Sequence, residues 1–333
     1  MCGIAGCIGV EDTPTVNRML DALPHRGPND RGIHIFRNGV FGHTRLSIVD
    51  VTRGHQPILA NGGLAGIVCN GEIYNFRELK KDLIAKYSFA TNSDTEVILH
   101  LYREEGPECV KNLNGMFAFA IFDQSDYMLA RDPIGIKPLY YGYYNDNLYF
   151  ASELTAMTLA GVDEVHEFPA GHYYTSRQGF IQYYRVPKVG GNPIADVKEA
   201  CGLIRRTFIK AVEDRLLSDP DVQVGSFCSG GLDSSLVAAI AAGSIPRLHT
   251  FAVGMRNENG ELSDDLKAGR IAADHIGTTH HELIFSEDDY YEALPQVIRK
   301  LETYDPALVR CAVPCYFTCK LAADYVTVVL TGE

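Results

Sequence analysis

Several features that mark particular protein classes are missing from this sequence. Lys and Arg number 30 against 42 Asp and Glu, so the net charge is −12 and there is no basic surface for nucleic acid or anionic membrane. The longest apolar run, Leu236 to Ala242, is far below the ~18 residues of a membrane span. The nine cysteines form no CxxC pair and no disulfide framework. A basic leader is also missing, because Glu11 and Asp12 follow the first apolar segment at once.

The remaining composition is that of a folded protein. With 333 residues, 46% hydrophobic and 22% charged, the chain is long enough for about two domains with large cores. Low complexity and disorder are not indicated. Together with the cysteine pattern, this predicts a cytoplasmic protein with neither nucleic-acid nor membrane partners.

The first half predicts an antiparallel-rich α+β domain over residues 1–184. Short β-type runs broken by Gly, Asn and Asp alternate with few helical segments. The predicted strands are 32–37, 64–70, 115–123, 127–131, 139–144, 147–152 and 171–175, and the predicted helices are 15–23, 76–85 and 94–105. Residues 185–195, with two prolines and two glycines around them, read as a linker.

From residue 196 to 333 the rhythm changes to alternating helices and strands, which is typical of an α/β domain with a parallel sheet. Strands are predicted at 222–228, 249–253, 280–285 and 326–330, and helices at 196–217, 234–242, 264–276, 288–301 and 313–325. The last run, VTVVL, is typical of a strand buried on both faces, yet only Thr331, Gly332 and Glu333 follow it. A binding loop is expected there, so we interpret the sequence as a fragment whose parallel sheet is incomplete at the C-terminus.

The segment 229–235, Ser-Gly-Gly-Leu-Asp-Ser-Ser, lies between a predicted strand and a predicted apolar helix. Glycines let the backbone approach a phosphate, and the hydroxyls, N–H groups and helix N-terminus favour an anion there. The pattern matches neither the Walker loop nor GxGxxG. It therefore predicts an anion site of another kind, with a simple helix cap as the alternative.

Cys2 becomes the first residue if Met1 is removed. An α-amino group titrates near ~7.7 to 8.0, so its neutral form can take the proton of its own thiol. Alone, a cysteine after Met1 is more often an inert small hydrophobe.

Further motifs supply a family resemblance that covers the whole chain. The first half resembles the class II, N-terminal-nucleophile glutaminase domain in MCGIAG (1–6), HRGPND (25–30), RLSIVD (45–50), NGEIYN (70–75), SDTEV (93–97), GMFAFAIFD (115–123) and RDPIGIKPLYY (131–141). With SGGLDSS (229–235), FAVG (251–254), HH (280–281), ETYD (302–305) and TGE (331–333), the chain resembles the glutamine-dependent asparagine synthetases. The resemblance implies an N-terminal-nucleophile sandwich, with antiparallel sheets between helices, followed by a PP-loop ATP pyrophosphatase domain.

For the first domain the resemblance implies that Cys2 attacks the glutamine amide to form a γ-glutamyl thioester. Asn70 and the Gly71 N–H would form the oxyanion hole. Arg45 would hold the glutamine α-carboxylate, and Glu72 and Asp94 the α-amino group, which is the charge complement of a zwitterion. The backbone lining the pocket would be that of Leu46, Ser47, Ile48 and Val49.

For the second domain the resemblance implies ATP and Mg²⁺. The phosphates would be held by Ser229, Gly230, Gly231, Leu232, Asp233, Ser234 and Ser235, with Thr331 and Gly332 beside them. Asp233 would help to hold Mg²⁺, and Cys228 and Val253 would line the adenosine site. Arg310 matches an arginine near the aspartate site, with a helix-end ion pair as the alternative, and Glu333 matches an acid that activates aspartate.

The implied reaction converts aspartate into asparagine through β-aspartyl-AMP, using ammonia from glutamine and releasing AMP and pyrophosphate. Glutamine, aspartate and ATP are the expected small-molecule partners, and a homodimer is expected for the full-length form. Because the residues after Glu333 are absent, the printed chain is expected to support mainly the glutaminase half. Asn29, where the family usually has Asp, and Thr331, for Ser, are the departures.

Two alternatives remain open. One is another glutamine amidotransferase or amide-forming ligase on the same folds, and the other is a non-catalytic interaction module. Cys311, Cys315 and Cys319 recur every four residues, which favours small-residue helix packing over a metal cluster. His280 and His281 fall in a predicted strand, where neighbouring side chains point to opposite faces and cannot chelate one ion.

Overall fold

The computed structural model describes residues 1–188, 190, 194, 196–256 and 259–332. The chain divides into two compact units, Met1–Gly190 and Gly191–Glu333. The division falls inside the predicted linker, parts of which, at 189, 191–193 and 195, lie outside the described residues. Over the described ranges, no helix is long and apolar enough to cross a membrane.

The first unit is built on two six-stranded antiparallel sheets. The strands are β1 Gly3–Ile8, β2 Asp30–Phe36, β3 Gly39–Arg45, β4 Ile58–Ala60, β5 Ala65–Ile73, β6 Gly115–Asp123, β7 Asp126–Arg131, β8 Tyr140–Tyr144, β9 Asn147–Ala151, β10 Val165–Glu167, β11 His172–Thr175 and β12 Gly179–Gln182. Their orders are β10-β8-β9-β1-β3-β2 and β12-β11-β7-β6-β5-β4. Phe41 and Phe150 from one sheet and Phe122 from the other meet in the core between them.

Helices cover the outer faces of these sheets. They are α1 Thr13–Asp21, α2 Phe76–Leu83, α3 Asp94–Glu105 and α4 Leu154–Leu159, with short 3₁₀ helices at Asn61–Gly63 and Gly106–Asn112. Met19 and Leu20 of α1 pack with Met157 of α4 on the first sheet. Helix α3 lies on β5, so the layers run helix, sheet, sheet, helix, and the predicted antiparallel sandwich is confirmed.

Two central strands were not among the predicted runs. All residues of β1 and of β3 are buried, and their segments GIAGCI and GVFGHTR are rich in glycine. A strand buried on both faces has no apolar–polar alternation, so the period-2 signal is missing. These two strands nevertheless carry the site described below.

The second unit is a parallel sheet with helices. Its elements are α5 Val197–Asp214, β13 Val224–Phe227, α6 Leu232–Ser244, β14 His249–Gly254, α7 Asp264–Ile276, β15 Thr279–Ile284, α8 Glu287–Leu301, α9 Pro306–Ala322 and β16 Val328–Leu330. The order is β15-β14-β13-β16, and every pairing is parallel, as predicted.

Two element predictions need correction here. Helix α9 begins at Pro306, seven residues before the predicted start, because Asp305 caps it by accepting from the Ala307 and Leu308 N–H groups while Pro314 is tolerated inside. The terminal strand spans only Val328–Leu330, and of its residues Leu330 is buried while Val328 and Val329 are half-buried. It pairs with β13 alone among the described strands, and because two of its three residues are only half-buried, it is not buried on both faces as the VTVVL run predicted.

Candidate functional site

The Cys2 thiol lies at the start of β1, against the end of β3. Gly3 pairs with Thr44, and Cys2 Sγ lies 3.4 Å from the Leu46 N and 3.6 Å from the Leu46 O. The Arg26 Nε donates to the Cys2 carbonyl at 2.9 Å, and Arg26 Nη1 pairs with Glu153 at 2.8 Å. The backbone of Cys2 is therefore fixed by a neighbouring loop as well as by the adjoining strand.

Burial changes the pKa values of the Cys2 thiol and of the terminal amine. It raises the pKa of the Cys2 thiol, while the hydrogen bond from Leu46 lowers it. The structure carries Met1, so the terminal amine is that of Met1 and the Cys2 nitrogen is an amide. Burial lowers the pKa of that amine to about 6, against the raising effect of Cys2. A neutral amine at neutral pH is the form that accepts a proton.

Asn70 and Gly71 lie on β5, which packs against β1. The Asn70 side chain is 1% exposed, and neither its Oδ1 nor its Nδ2 has a hydrogen-bond partner within the described residues. An unpaired buried amide is costly unless a ligand completes it. At Gly71 a Cβ would lie 2.4 Å from the Met116 carbonyl oxygen of β6, so only glycine fits. The Asn70 Nδ2 and the Gly71 N–H are therefore suited to serve as two fixed donors to an oxyanion.

Arg45 lies at the end of β3, is 4% exposed, and fixes the backbone segment that follows it. Its guanidinium donates to the carbonyl oxygens of Val49, Asp50 and Val51 at 3.1, 2.7 and 3.1 Å. These bonds hold the 46–51 segment around the Arg45 guanidinium. The segment contains the predicted backbone lining, Leu46, Ser47, Ile48 and Val49. The predicted contact of Arg45 with a substrate carboxylate stays a prediction.

Asn29, the departure from the usual Asp, has a structural role. Its Oδ1 accepts from the Ser47 N–H at 2.9 Å, and its own N–H donates to the Arg45 carbonyl at 2.9 Å. Because an amide oxygen accepts as a carboxylate does, the substitution keeps the loop contact.

Glu72 and Asp94 form an acidic pair. Asp94, in the first turn of α3, is 4% exposed and accepts from the Ile73 N–H at 2.7 Å. Burial raises the pKa of Asp94 to about 6, and burial together with the Asp94 charge raises the pKa of Glu72 well above its usual range. Two neighbouring acids whose charges repel each other favour an ammonium group between them.

Sequence reasoning assigned no role to Arg26, Glu153 or Lys137. Lys137 is 5% exposed, and its charge counteracts the raised pKa of Glu72. Arg26 and Lys137 both belong to motifs that carried the resemblance, HRGPND and RDPIGIKPLYY. The available signal was a cationic residue inside a motif that carried the resemblance.

In the second unit the predicted phosphate loop follows β13 and runs into α6. Gly230 has φ +81°, and a Cβ on it would lie 2.3 Å from the Ala268 carbonyl carbon. Gly231 is the helix N-cap and makes no side-chain cap bond, and Ser229 Oγ lies 3.1 Å from Ser234 Oγ. The first N–H groups of α6 are therefore free of a side-chain cap, which fits a phosphate.

Gly332 also lies close to the 229–235 loop. A Cβ on Gly332 would lie 2.5 Å from the Ser234 N, so the backbone of the Thr331-Gly332 segment passes close to the start of α6. Cys228 is buried and its N–H donates to the Phe251 carbonyl at 2.9 Å, while Val253 is half-buried near the end of β14. All of these residues lie at the carboxyl edge of the parallel sheet, where such folds bind ligands.

Three further sequence predictions concern aspartate and Mg²⁺. Arg310 is exposed on α9, and Glu333 lies outside the described residues. Asp233 is exposed in the first turn of α6, and the described parts of the chain contain no group of three His, Cys, Asp or Glu residues placed to hold a metal ion. Because Mg²⁺ usually keeps waters and binds substrate phosphates with one or two carboxylates, Asp233 fits as one ligand of that kind.

The cysteines of α9 and the neighbouring histidines of β15 are the two remaining clusters noted in the sequence. Cys311, Cys315 and Cys319 are exposed on α9, so the helix packing predicted for them is not made within the described residues. His280 Nδ1 lies 2.9 Å from Thr250 Oγ1, and His281 Nε2 lies 2.9 Å from His249 Nδ1. The two histidines thus have separate partners, as expected for neighbours on a strand.

Comparisons with known proteins agree with these two parts. A family model described as a glutamine amidotransferase domain matches residues 1–181, and one described as asparagine synthase matches residues 203–333. A solved structure described as the allosteric regulatory enzyme of purine biosynthesis aligns with TM-score 0.50 and 21% identity over 85% of this chain and 80% of that one, a likeness of fold.

Two curated relatives match the whole chain. Asparagine synthetase [glutamine-hydrolyzing] 3 of Arabidopsis thaliana is 39% identical over 352 residues, covering 100% of this chain and 59% of its own length. Asparagine synthetase B [glutamine-hydrolyzing] of Escherichia coli is 38% identical, covering 100% of this chain and 63% of its own length. This chain thus spans less than two thirds of either relative, and over that span it belongs to the family of glutamine-hydrolysing asparagine synthetases.

Proposed function

We propose that the chain contains the glutaminase half and part of the ATP-dependent half of a ligase that makes L-asparagine from L-aspartate and L-glutamine. The observation that carries the proposal is the thiol of Cys2 beside a strand that holds a buried, unpaired Asn70 amide. Domain limits of 1–184 and 196–333, with a linker at 185–195, belong to the same proposal.

The glutaminase step follows from the residues of the first unit. Once Met1 is removed, the neutral amine of Cys2 takes the thiol proton, and the thiolate adds to the glutamine amide carbon. Asn70 Nδ2 and the Gly71 N–H donate to the resulting oxyanion. The ammonium then returns its proton to the leaving nitrogen, which departs as ammonia and leaves a γ-glutamyl thioester, and water hydrolyses the thioester to glutamate.

Recognition of glutamine is assigned to charges in fixed positions. The Arg45 guanidinium faces the α-carboxylate, and Glu72 and Asp94 face the α-ammonium group. An ammonium group beside the two acids lowers the cost of ionising both of them, so the pair favours a cation at this position.

The ATP half uses the loop of the second unit. The N–H groups at the start of α6 and the hydroxyls of the 229–235 segment hold the phosphates, and Asp233 would supply a ligand to Mg²⁺, which would neutralise phosphate charge. Aspartate then displaces pyrophosphate from the α-phosphate, and ammonia displaces AMP from the β-aspartyl adenylate. Arg310 and Glu333 are assigned to aspartate, and Cys228 and Val253 to the adenosine.

Two measurements test the proposal. The 333-residue chain is incubated with glutamine, and we expect release of glutamate and labelling of Cys2 by an electrophilic diazoketone analogue of glutamine. Absence of labelling favours a non-catalytic interaction module. ATP–pyrophosphate exchange by the full-length protein is expected to depend on L-aspartate, and dependence on another acid identifies a different amide-forming ligase.

The assembly and location are proposals as well. We propose a homodimer for the full-length protein and a cytoplasmic site of action. Light scattering that gives a monomer mass across micromolar concentrations contradicts the first of these.

A further inference from the structure

Lys137 is a buried lysine for which the glutaminase mechanism above has no use. It lies between β7 and β8, and its Nζ is 3.3 Å from the Sδ of Met1. Thioether sulfur is a weak acceptor, so this contact does little to offset the burial of an ammonium group. A fixed cation therefore lies against the first residue of the chain.

The loop that carries Lys137 is held by a buried acid. Asp132 is 0% exposed, and its Oδ1 accepts from the N–H groups of Ile134 and Ile136 at 3.2 and 2.9 Å. Its Oδ2 accepts from the Lys137 N–H at 2.9 Å. One carboxylate thus fixes the backbone of the loop up to the lysine.

The preceding arginine holds the same loop from its other side. Arg131 Nε donates to the Lys137 carbonyl at 2.7 Å, and Nη2 donates to the Gly135 carbonyl at 3.0 Å. Its Nη1 donates to the Phe168 carbonyl at 2.6 Å, which ties the loop to the core. Gly135 has φ +74°, a conformation that other residues rarely adopt.

Charged groups of both signs surround the terminal amine of Met1 and the Lys137 ammonium. The terminal amine interacts with Cys2, Arg26, Lys137 and Glu72, and burial together with the two cations lowers its pKa to about 6. Lys137 interacts with Glu72, Arg26, Cys2 and Cys69, and burial lowers its pKa while Glu72 raises it. Arg26 is already paired with Glu153 and the Cys2 carbonyl, whereas, in the part of the chain that the structure describes, the Lys137 ammonium has only the Met1 sulfur within hydrogen-bond distance.

We propose that Lys137 is a positioning residue of the glutaminase site, a fixed cation that keeps the terminal amine of processed Cys2 neutral and its thiol easy to ionise. The inference rests on the proposed glutaminase function. Removal of Met1 takes away the sulfur contact and leaves the ammonium facing the new terminus. A nearby positive charge disfavours protonation of the free amine, which keeps the neutral form available as the base, and it stabilises the thiolate that forms when the thiol proton leaves.

The test compares variants in the processed chain, treated with methionine aminopeptidase until its intact mass places Cys2 first. Glutaminase kcat/KM and the rate of iodoacetamide alkylation at Cys2 are measured from pH 5 to 9. In Lys137→Gln we expect the acid limb of both profiles to move to higher pH by about one unit, and Lys137→Arg to stay near wild type. Lys81→Met removes an exposed lysine of α2 and is the charge control, with an unmoved limb.

The outcomes are separable. If Lys137→Gln loses activity by the same factor at every pH, or if Lys137→Arg shifts as much as Lys137→Gln, the positioning role is wrong. If Lys137→Gln does not fold, a normal limb in Lys137→Met or a shifted limb in Lys137→Arg likewise overturns it. If wild-type protein releases no glutamate at any pH, the proposed glutaminase function fails instead.

Discussion

The two units build their candidate sites by different physical means. In the first unit the site is made of side chains on or beside β1, β3, β5 and α3, and some of them are fixed by hydrogen bonds, as Arg45 is by three carbonyl oxygens. In the second, the 229–235 loop is mostly exposed, and its shape comes from glycine backbone and the N-terminus of α6. The first is therefore a side-chain site, built mainly from side chains, and the second is a backbone site, built mainly from backbone groups.

The difference follows from the ligands proposed. A zwitterion such as glutamine needs separate groups for a carboxylate, an ammonium and an amide, so single substitutions should remove single functions. Phosphates take many N–H donors at once, so no single side chain dominates. Substitutions at Cys2 and Asn70 should therefore act on chemistry, and substitutions at Gly230 on backbone shape.

The largest effect is expected for Cys2→Ala. Removing the nucleophile should lower glutamate release by roughly 10³-fold or more, and should abolish labelling by the diazoketone analogue. ATP binding by the second unit should not change. Mass spectrometry of the labelled chain checks this, and Cys201→Ala, at an exposed cysteine of α5, is the matched control. Persistent labelling in Cys2→Ala would place the nucleophile elsewhere.

Asn70→Ala should lower kcat for glutamine hydrolysis by about 10²- to 10³-fold, because it removes one oxyanion donor. The KM should change little, since the ground-state amide is held less tightly than the oxyanion. Steady-state glutaminase assays measure both constants. Asn112→Ala removes an exposed amide bonded to Glu105 and should leave them unchanged. A rise in KM with normal kcat would instead indicate a binding role for Asn70.

Gly230→Ala should affect the second unit alone. The added Cβ meets the backbone of Ala268 and the residue must keep a positive φ, so we expect a loss of about 1–3 kcal/mol in stability and weaker ATP binding. Calorimetric titration with ATP and hydrogen exchange of α6 report these changes. Gly243→Ala, in the same helix with no atom within 4 Å of the added Cβ, should stabilise the helix by about 0.5–1 kcal/mol. Equal behaviour of the two variants contradicts the backbone-site interpretation.

The smallest effect is expected for the stability of Asp94→Asn. The folded-state pKa of Asp94, about 6, lies above its ordinary value of 3.8, so the folded state holds this proton more tightly than the unfolded chain. Stability from this group is therefore present at low pH and is lost as the pH rises from about 4 through 6. The shift alone corresponds to about 3 kcal/mol at pH 8, and the carboxylate hydrogen bonds weakened by the substitution reduce this, so the variant should be more stable than wild type by about 1 kcal/mol.

Hydrogen exchange of the β5 amides against pH measures this change, and glutamine binding should be lost in the same variant. Asp82→Asn, at an exposed residue of α2, is the control and should show neither effect. A variant less stable than wild type at pH 8 contradicts the raised pKa of Asp94 in the folded protein.

Local patterns in the sequence were enough for many elements. Helices Asp94–Glu105 and Asp264–Ile276 and strand Gly115–Asp123 have the predicted bounds, because capping residues and apolar periodicity mark them clearly. The family resemblance and both fold classes are confirmed. Strands β1 and β3 were missed for lack of alternation, and the start of α9 was predicted seven residues too late although Asp305 caps the helix.

What the sequence determined by itself is the set of chemical groups and their order: a cysteine after Met1, an Asn-Gly pair, two acids, and a glycine-serine loop before an apolar helix. Only the tertiary structure decided which of these meet. Pairing of β1 with β3, and packing of both against β5, carries Cys2, Leu46 and Asn70 into one region although they lie far apart along the chain. The buried Asp132 that fixes the loop of Lys137 is equally invisible in sequence, because burial and charge proximity are properties of the packed layers and not of spacing along the chain.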